Sequence, residues 1–205
     1  MTRGRGEVAL PFEGKQIMQD RDAQGVSVAS AALVDYALQS FEDAPLCVLD
    51  LGCGCGIVSI MCALSRPQWQ VQGIDIQKEL IELAIANAAS CELDISFCHQ
   101  DLREHSGRYD LILANPPWQK AGSGLLSPHL SKNLSRVELS CTMRDLCQAI
   151  ERCLRPGGTG IVIYPEARIK EFEQHLRETS LDITGKHVLF GKKTYFCVKL
   201  GLGTT

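Results

Sequence analysis

The chain lacks an apolar run long enough to cross a membrane. Its longest uncharged stretch, "LGCGCGIVSIMCALS", is short and glycine-rich, which excludes a helical span. "MTRGRGEV" carries basic residues with no apolar stretch behind them, so no secretory signal is expected. Without export, the ten cysteines are not expected to form disulfides. They read as reduced cytoplasmic thiols serving as small hydrophobes. "CGC" at 53 to 55 and "FCHQ" at 97 to 100 have ligand chemistry, but no pair of C-x-x-C clusters backs them, so no metal is expected. A Ser-His-Asp set and a P-loop are also missing. No repeat, low-complexity segment or linker divides the chain. A single domain over residues 1–205 is therefore expected, with residues 1–43 as a strand and helix extension packed on the core.

What is present is an ordinary globular composition: 205 residues, 45% hydrophobic and 22% charged. Short apolar runs recur at "APLCVLDLGCG", "QWQVQGIDI", "DISFCHQD", "RYDLILANPP" and "TGIVIYP". "LDITGKHVLF" and "KTYFCVKLG" follow, joined by "GKK" as a hairpin turn. Helical spacing falls between them. Leu80, Ile81, Ala84, Ile85 and Ala88 share one face, as do Leu139, Met143, Leu146, Ile150 and Leu154, with "RPGG" expected to stop that second helix. "EARIKEFEQHLRE" reads as a polar surface helix, and "GVSVASAALVDYALQSF" as a helix beside the core. Strands alternating with helices predict an α/β fold with a mostly parallel sheet, helices on both faces and an antiparallel last pair.

Charge is unevenly placed. Residues 75–110 are acid-rich, whereas Lys120, Lys132 and Arg136, and again Lys186, Lys192, Lys193 and Lys199, lie in segments without acids. An anionic substrate is expected to dock near both basic segments.

"VLDLGCGCG" sets Gly52, Gly54 and Gly56 at a strand-to-helix turn, where glycine allows a sharp bend and close ligand approach. The dinucleotide pattern wants a further glycine where Ile57 stands, which favours a related nucleoside cofactor over NAD. Asp75, with Ile76 after it, ends the second strand and can bind ribose hydroxyls. Asp101 ends the third and can accept from an adenine amino group. Asp50, just before the glycines, can face a positively charged ligand group. Three acids at the carboxyl ends of consecutive strands stand where open α/β sheets bind ligands.

"ANPPWQK" follows the fourth strand. Prolines cannot continue a buried strand, so Pro116 and Pro117 end the pairing and stiffen the chain. The Asn115 amide oxygen and the Pro116 carbonyl offer two convergent acceptors. Such a pair suits a planar amino group and favours pyramidal nitrogen with an aimed lone pair. Trp118 can stack on a flat substrate, worth about 1–3 kcal/mol per base. Set beside a methyl sulfonium, that nitrogen can attack in line, with catalysis by positioning.

In order and spacing, "VLDLGCGCG", "GIDI", "HQDL" and "ILANPPW" resemble the class I S-adenosylmethionine-dependent methyltransferases with an NPP-aromatic motif, over residues 46 to 165. "GKQIMQDRDAQGVSVASAALV" and "KNLSRVELSCTMRDLCQAIERCLRPGG" extend the resemblance to the bacterial tRNA adenine-N6 methyltransferases. The resemblance implies a Rossmann-like seven-stranded sheet and S-adenosyl-L-methionine as cofactor. It implies that Asp50, Gly52, Gly54 and Gly56 line the methionine part, Asp75 the ribose, and Asp101 and Leu102 the adenine, with Ile76 also at the cofactor. Asn115, Pro116, Pro117 and Trp118 become the catalytic loop, with Asn115 also a cofactor-binding residue. The implied partner is RNA, in particular tRNA, with no membrane and no metal, and the protein is expected to be a cytoplasmic monomer or weak homodimer. Two positions depart from the family: Val28 and Ala29 stand where it has polar residues, and Trp118 replaces the commoner tyrosine or phenylalanine.

The residues leave alternatives open: a protein glutamine N5-methyltransferase using the same loop on a side-chain amide, an rRNA amino-group methyltransferase, or a cofactor-binding homologue without catalysis. Glutamine enzymes carry an N-terminal helical domain, for which the stretch before the glycine strand is short.

Overall fold

The structure, a computed structural model, describes residues 5–20, 28–116, 141–189 and 194–203. Its elements in chain order are β1 (Arg5–Ala9), β2 (Gln16–Asp20), α1 (Val28–Ser40), β3 (Cys47–Leu51), α2 (Ile57–Ser65), β4 (Gln70–Asp75), α3 (Lys78–Ser90) and β5 (Ser96–His99). Then come β6 (Tyr109–Ala114), α4 (Met143–Cys153), β7 (Leu154–Pro165), α5 (Ile169–Leu176), β8 (Leu181–Leu189) and β9 (Tyr195–Leu202). Seven strands form one sheet in the order β5-β4-β3-β6-β7-β9-β8. The first five of these positions run parallel, and β9 pairs antiparallel with both β7 and β8.

Side-chain alternation explains why the sheet is covered twice. Val48, Leu111, Leu113, Ile161 and Ile163 join the core beneath α1 and α2. Their neighbours Leu49, Leu51, Ile112, Ala114, Val162 and Tyr164 join the core beneath α4 and α5. Period two delivers each strand's apolar residues to both faces, as a sheet buried on both sides requires. Chain order reverses direction at β3: β4 and β5 lie on one side and β6 onward on the other. The carboxyl ends flanking such a reversal form a crevice that takes ligands.

Three elements differ from expectation. The helix of residues 143–153 ends before "RPGG", because Leu154 turns extended, pairs with Tyr109 and is buried in β7. Its start is fixed by a capping box, with the Thr142 hydroxyl accepting from Asp145 N at 3.2 Å and the Asp145 carboxylate accepting from Thr142 N at 2.9 Å. The "polar surface" helix α5 is anchored by Phe172 and Leu176, both buried, with Phe172 packed against Tyr164 and Phe196. The N-terminal extension holds a two-stranded antiparallel hairpin, β1–β2, before α1.

Candidate active site

Register brings the site together. Leu51 at the end of β3 pairs with Ile74 of β4 and with Ala114 of β6. Gly52, Asp75 and Asn115 each follow one member of that level row. They therefore meet at one edge of the sheet, on strands about 4.8 Å apart.

The glycine turn is strapped to β4. The N–H groups of Gly52 and Cys53 both donate to the Ile74 carbonyl, at 2.9 and 3.0 Å. Gly54 N donates to the Asp75 carboxylate at 2.9 Å. Gly52, Gly54 and Gly56 all have positive φ, at 74°, 55° and 83°, a region that suits glycine. Their surroundings differ. A Cβ on Gly52 or Gly54 would meet nothing within 4 Å, whereas one on Gly56 would lie 3.0 Å from the Phe97 ring and 3.1 Å from Ala84. The first two glycines thus border open space, and the third lets the turn pack on β5 and α3.

The acids are less free than their positions suggest. Asp50 is buried, and its Oδ2 accepts from Ser59 N at 3.1 Å and Ser59 Oγ at 2.7 Å. It thereby caps the first turn of α2, whose own N-cap, Gly56, has no side chain to do so. Burial outweighs those bonds and pushes the Asp50 carboxyl up to about 7. Asp75 is also buried and raised by desolvation, while the N–H groups of Gln77 at 2.8 Å and Gly54 oppose the rise. Asp101 is gripped by Arg103, whose Nε lies 3.0 Å from both carboxylate oxygens, and this holds its carboxyl below the usual range. An adenine amino group would share Asp101 with that guanidinium. Leu102 is held through its carbonyl, which accepts from Arg152 at 2.6 Å, and Ile76 is exposed beside Asp75.

Asn115 emerges half-buried from β6. Its Nδ2 donates to Ser30 Oγ at 3.1 Å. Its Oδ1 is the one buried side-chain oxygen without a hydrogen-bond partner among the described residues. A buried acceptor left bare costs about 1–3 kcal/mol, so its retention asks for a donor from beyond the described residues. Pro116 is buried next to it. Pro117 and Trp118 lie outside the described residues, as do Lys120, Lys132, Arg136, Lys192 and Lys193.

Sequence reasoning passed over three residues. Ser59 anchors Asp50. Ser30, buried at the start of α1, fixes the Asn115 amide. Of the two replaced polar positions before it, Val28 is exposed and Ala29 is buried, so a polar contact from this segment comes one residue later. Asn87 of α3 donates to Cys55 O at 2.9 Å and to Met18 O at 2.8 Å, and accepts from Met18 N at 2.8 Å. It ties the hairpin to the glycine turn. The signal for Asn87 was present, since helical spacing puts this amide on the apolar face with Leu80, Ala84 and Ala88.

Cys53 and Cys55 are buried and free, and burial pushes both thiols up, Cys55 to about 11, which disfavours the thiolate form that binds metal. Among the described residues no three His, Cys, Asp or Glu side chains gather as a metal site. No described helix is long and apolar enough to cross a membrane.

The methyltransferase small domain family matches residues 22–179. The chain belongs to that family. A tRNA1(Val) (adenine(37)-N6)-methyltransferase of Dyadobacter fermentans is 30% identical over 183 residues, covering 87% of this chain and 75% of that protein. A release factor glutamine methyltransferase of Enterococcus faecalis is 35% identical over 88 residues, covering 42% of this chain and 32% of that protein. In fold, the ribosomal protein L11 methylase of Lactobacillus delbrueckii subsp. bulgaricus is similar, with a TM-score of 0.67 at 23% identity over 88% of this chain and 82% of that one. This methyltransferase uses S-adenosylmethionine. The residues fit that cofactor: the space beside Gly52 and Gly54 admits a ligand against the backbone, and Asp75, bonded to Gly54 N, stands beside it.

Proposed function

We propose that this enzyme methylates the exocyclic N6 nitrogen of an adenine in tRNA. The observation that carries the reading is the unpartnered Asn115 Oδ1 at the end of β6. The similarity to the Dyadobacter fermentans enzyme over most of this chain supports the substrate class.

In this reading Gly52 and Gly54 let the backbone approach the methionine portion of the cofactor, and Gly56 packs the turn that presents them. Asp50 balances its positive charge, Asp75 beside Ile76 holds the ribose, and Asp101 with Leu102 borders the adenine. When bound, S-adenosylmethionine supplies an electrophilic methyl carbon on a positively charged sulfur. Asn115 Oδ1 accepts one hydrogen of the target amino group, and the Pro116 carbonyl accepts the other. Drawing both hydrogens toward oxygens pyramidalises the nitrogen and aims its lone pair. The hydrogen bond to Ser30 keeps oxygen, rather than the amide nitrogen, turned toward the substrate. Pro117 stiffens the loop, and Trp118 stacks on the extruded base. We further propose a single cytoplasmic domain acting as a monomer or weak homodimer.

The test is to incubate the enzyme with labelled cofactor and total RNA, then identify the modified nucleoside by mass spectrometry. N6-methyladenosine in tRNA is expected. Methyl transfer to another nucleoside, or to none, overturns the reading.

A second reading rests on the Enterococcus faecalis relative. The same pair of acceptors would suit a glutamine side-chain amide. Label appearing in a release factor and not in RNA would favour it.

A further inference from the structure

Away from the crevice, α1 leads to a second group of polar and aromatic side chains. Tyr36 of α1 stacks on His187 of β8, with ring centroids 5.2 Å apart and planes 21° from parallel. Lys199 of β9 sets its ammonium 5.1 Å from the centre of the same Tyr36 ring. Gly185 makes room for both: a Cβ there would lie 3.4 Å from the Tyr36 hydroxyl and 3.3 Å from Lys199 Cδ. Lys186, on the opposite face of the edge strand, lies 5.6 Å from the Phe196 ring centre. His187 and Lys186 are exposed, and Tyr36 and Lys199 are half-buried.

Two features separate this patch from ordinary solvated surface. Among the described residues no carboxylate pairs with Lys186, His187 or Lys199. The two ammonium groups are held by aromatic rings instead, a contact that orders the side chain without neutralising it. The patch is also level with the reaction centre. Ala114 pairs with Val162, Val162 with Val198 and Val198 with Lys186. His187, next along β8, therefore stands in the row of Asn115, three strands and about 14 Å away. α1 bridges the interval: Ser30 touches Asn115, and Tyr36 lies about 9 Å further along the helix.

We infer that Tyr36, His187 and Lys199, with Lys186 around the edge of β8 on its other face, dock the ribose–phosphate strand that flanks the target base. This rests on the RNA reading above. The partner is a polyanion whose phosphates meet the two ammonium groups, while the exposed imidazole faces a sugar or base. Phosphate contacts of this kind fix the register of a nucleic acid without reading its sequence. At this range they would hold nucleotides beside the one in the crevice.

The test compares wild type with Lys199→Gln, Lys186→Gln and the double variant. The measurements are tRNA affinity across a salt series, S-adenosylhomocysteine affinity by calorimetry, and the melting temperature. The double variant should bind tRNA about tenfold more weakly, and the slope of log affinity against log salt should fall by about 0.7–0.9 per lost contact. Cofactor-product affinity should stay at the wild-type value, and the melting temperature within a few degrees of it. Lys78→Gln, in a residue paired with Glu82 on α3, should leave tRNA affinity unchanged. If the patch variants bind tRNA as wild type does while wild type methylates tRNA, the patch is overturned and the RNA reading stands. If Lys78→Gln weakens binding equally, the attraction is diffuse and the patch is again overturned. If wild type methylates no RNA, the RNA reading falls and takes the patch with it.

Discussion

The two sides of the β3–β6 boundary are built on opposite terms. On the β3–β4 side the carboxylates and the amide that frame the glycine turn are met from within the chain. Asp50 is bonded to Ser59, Asp75 to Gly54 and Gln77, and Asn87 to the glycine turn and the hairpin. On the β6 side, Asn115 has its amide nitrogen bonded and, among the described residues, its oxygen bare. The difference separates holding from reacting. A cofactor held along backbone and buried acids needs a rigid, self-satisfied frame. A group meant to accept from a passing substrate must keep an acceptor open until the substrate arrives. The cost is tolerated because the surrounding structure fixes it in place.

The sharpest way to break this comparison is Asn115→Ala. Removing an aimed acceptor from a water-poor site costs rate by roughly 100-fold or more. Methyl transfer should nearly vanish while S-adenosylhomocysteine affinity, measured by calorimetry, stays near wild type. A parallel fall in both would mean that Asn115 belongs to the holding side.

Gly54→Val is the complementary change. Gly54 has φ of 55°, and a side chain there would project into the open space beside the turn. Left-handed backbone costs a non-glycine residue about 1–2 kcal/mol before any clash with ligand, more for a β-branched one. Cofactor affinity should fall at least tenfold, and calorimetry would detect it.

Asn87→Ala should act on stability before it acts on binding. It strands the Cys55 carbonyl and both backbone groups of Met18 in a partly buried setting. Stranding a buried backbone group costs about 1–3 kcal/mol, less where water reaches it. The melting temperature should drop by several degrees, with hydrogen exchange rising first in β2 and the glycine turn.

These sites differ in how plainly the sequence announced them. All seven strands of the sheet were legible: the interior ones because a strand buried on both faces leaves a short, nearly continuous apolar run such as "YDLILA", and the exposed edge strands β5 and β8 from the alternation in "DISFCHQD" and the "GKK" turn. The glycine turn was legible because positive φ leaves few alternatives to glycine. The hairpin β1–β2 was seen only as a single strand-like extension, since "RGEVA" and "QIMQD" are short and mostly polar. Asp50 and Asp101 were rightly placed at strand ends, but their partners were invisible. Ser59 sits nine residues away across a turn, and the Arg103 grip depends on a local loop conformation. Ser30 meets Asn115 across 85 residues. No local pattern encodes such a pairing. It follows only from α1 packing against β7 and β9.

Ser30→Ala tests whether the bare oxygen owes its direction to α1. The lost hydrogen bond is worth about 0.5–1.5 kcal/mol, so kcat should fall about three- to tenfold with cofactor affinity unchanged. Ser30→Thr, which keeps the hydroxyl, should restore most of the rate. An unchanged kcat in the alanine variant would show that the masking of the amide nitrogen is unnecessary.

The smallest effect expected is a pH dependence on the holding side. Burial raises the Asp50 carboxyl to about 7, above the ordinary carboxylate value it regains on unfolding. Between those two values the folded protein binds more protons than the unfolded chain. Stability without ligand should therefore fall as pH rises through that window, and level off above about 7. A cation beside Asp50 favours its charged form, so cofactor affinity should rise over the same interval, with proton release on binding. Asp50→Asn keeps the shape and removes the titration. It should flatten both curves, read as melting temperature and calorimetric affinity at pH 6 and 8. Curves as steep as wild type would place the titrating group elsewhere, and Asp50 would then serve only to cap α2.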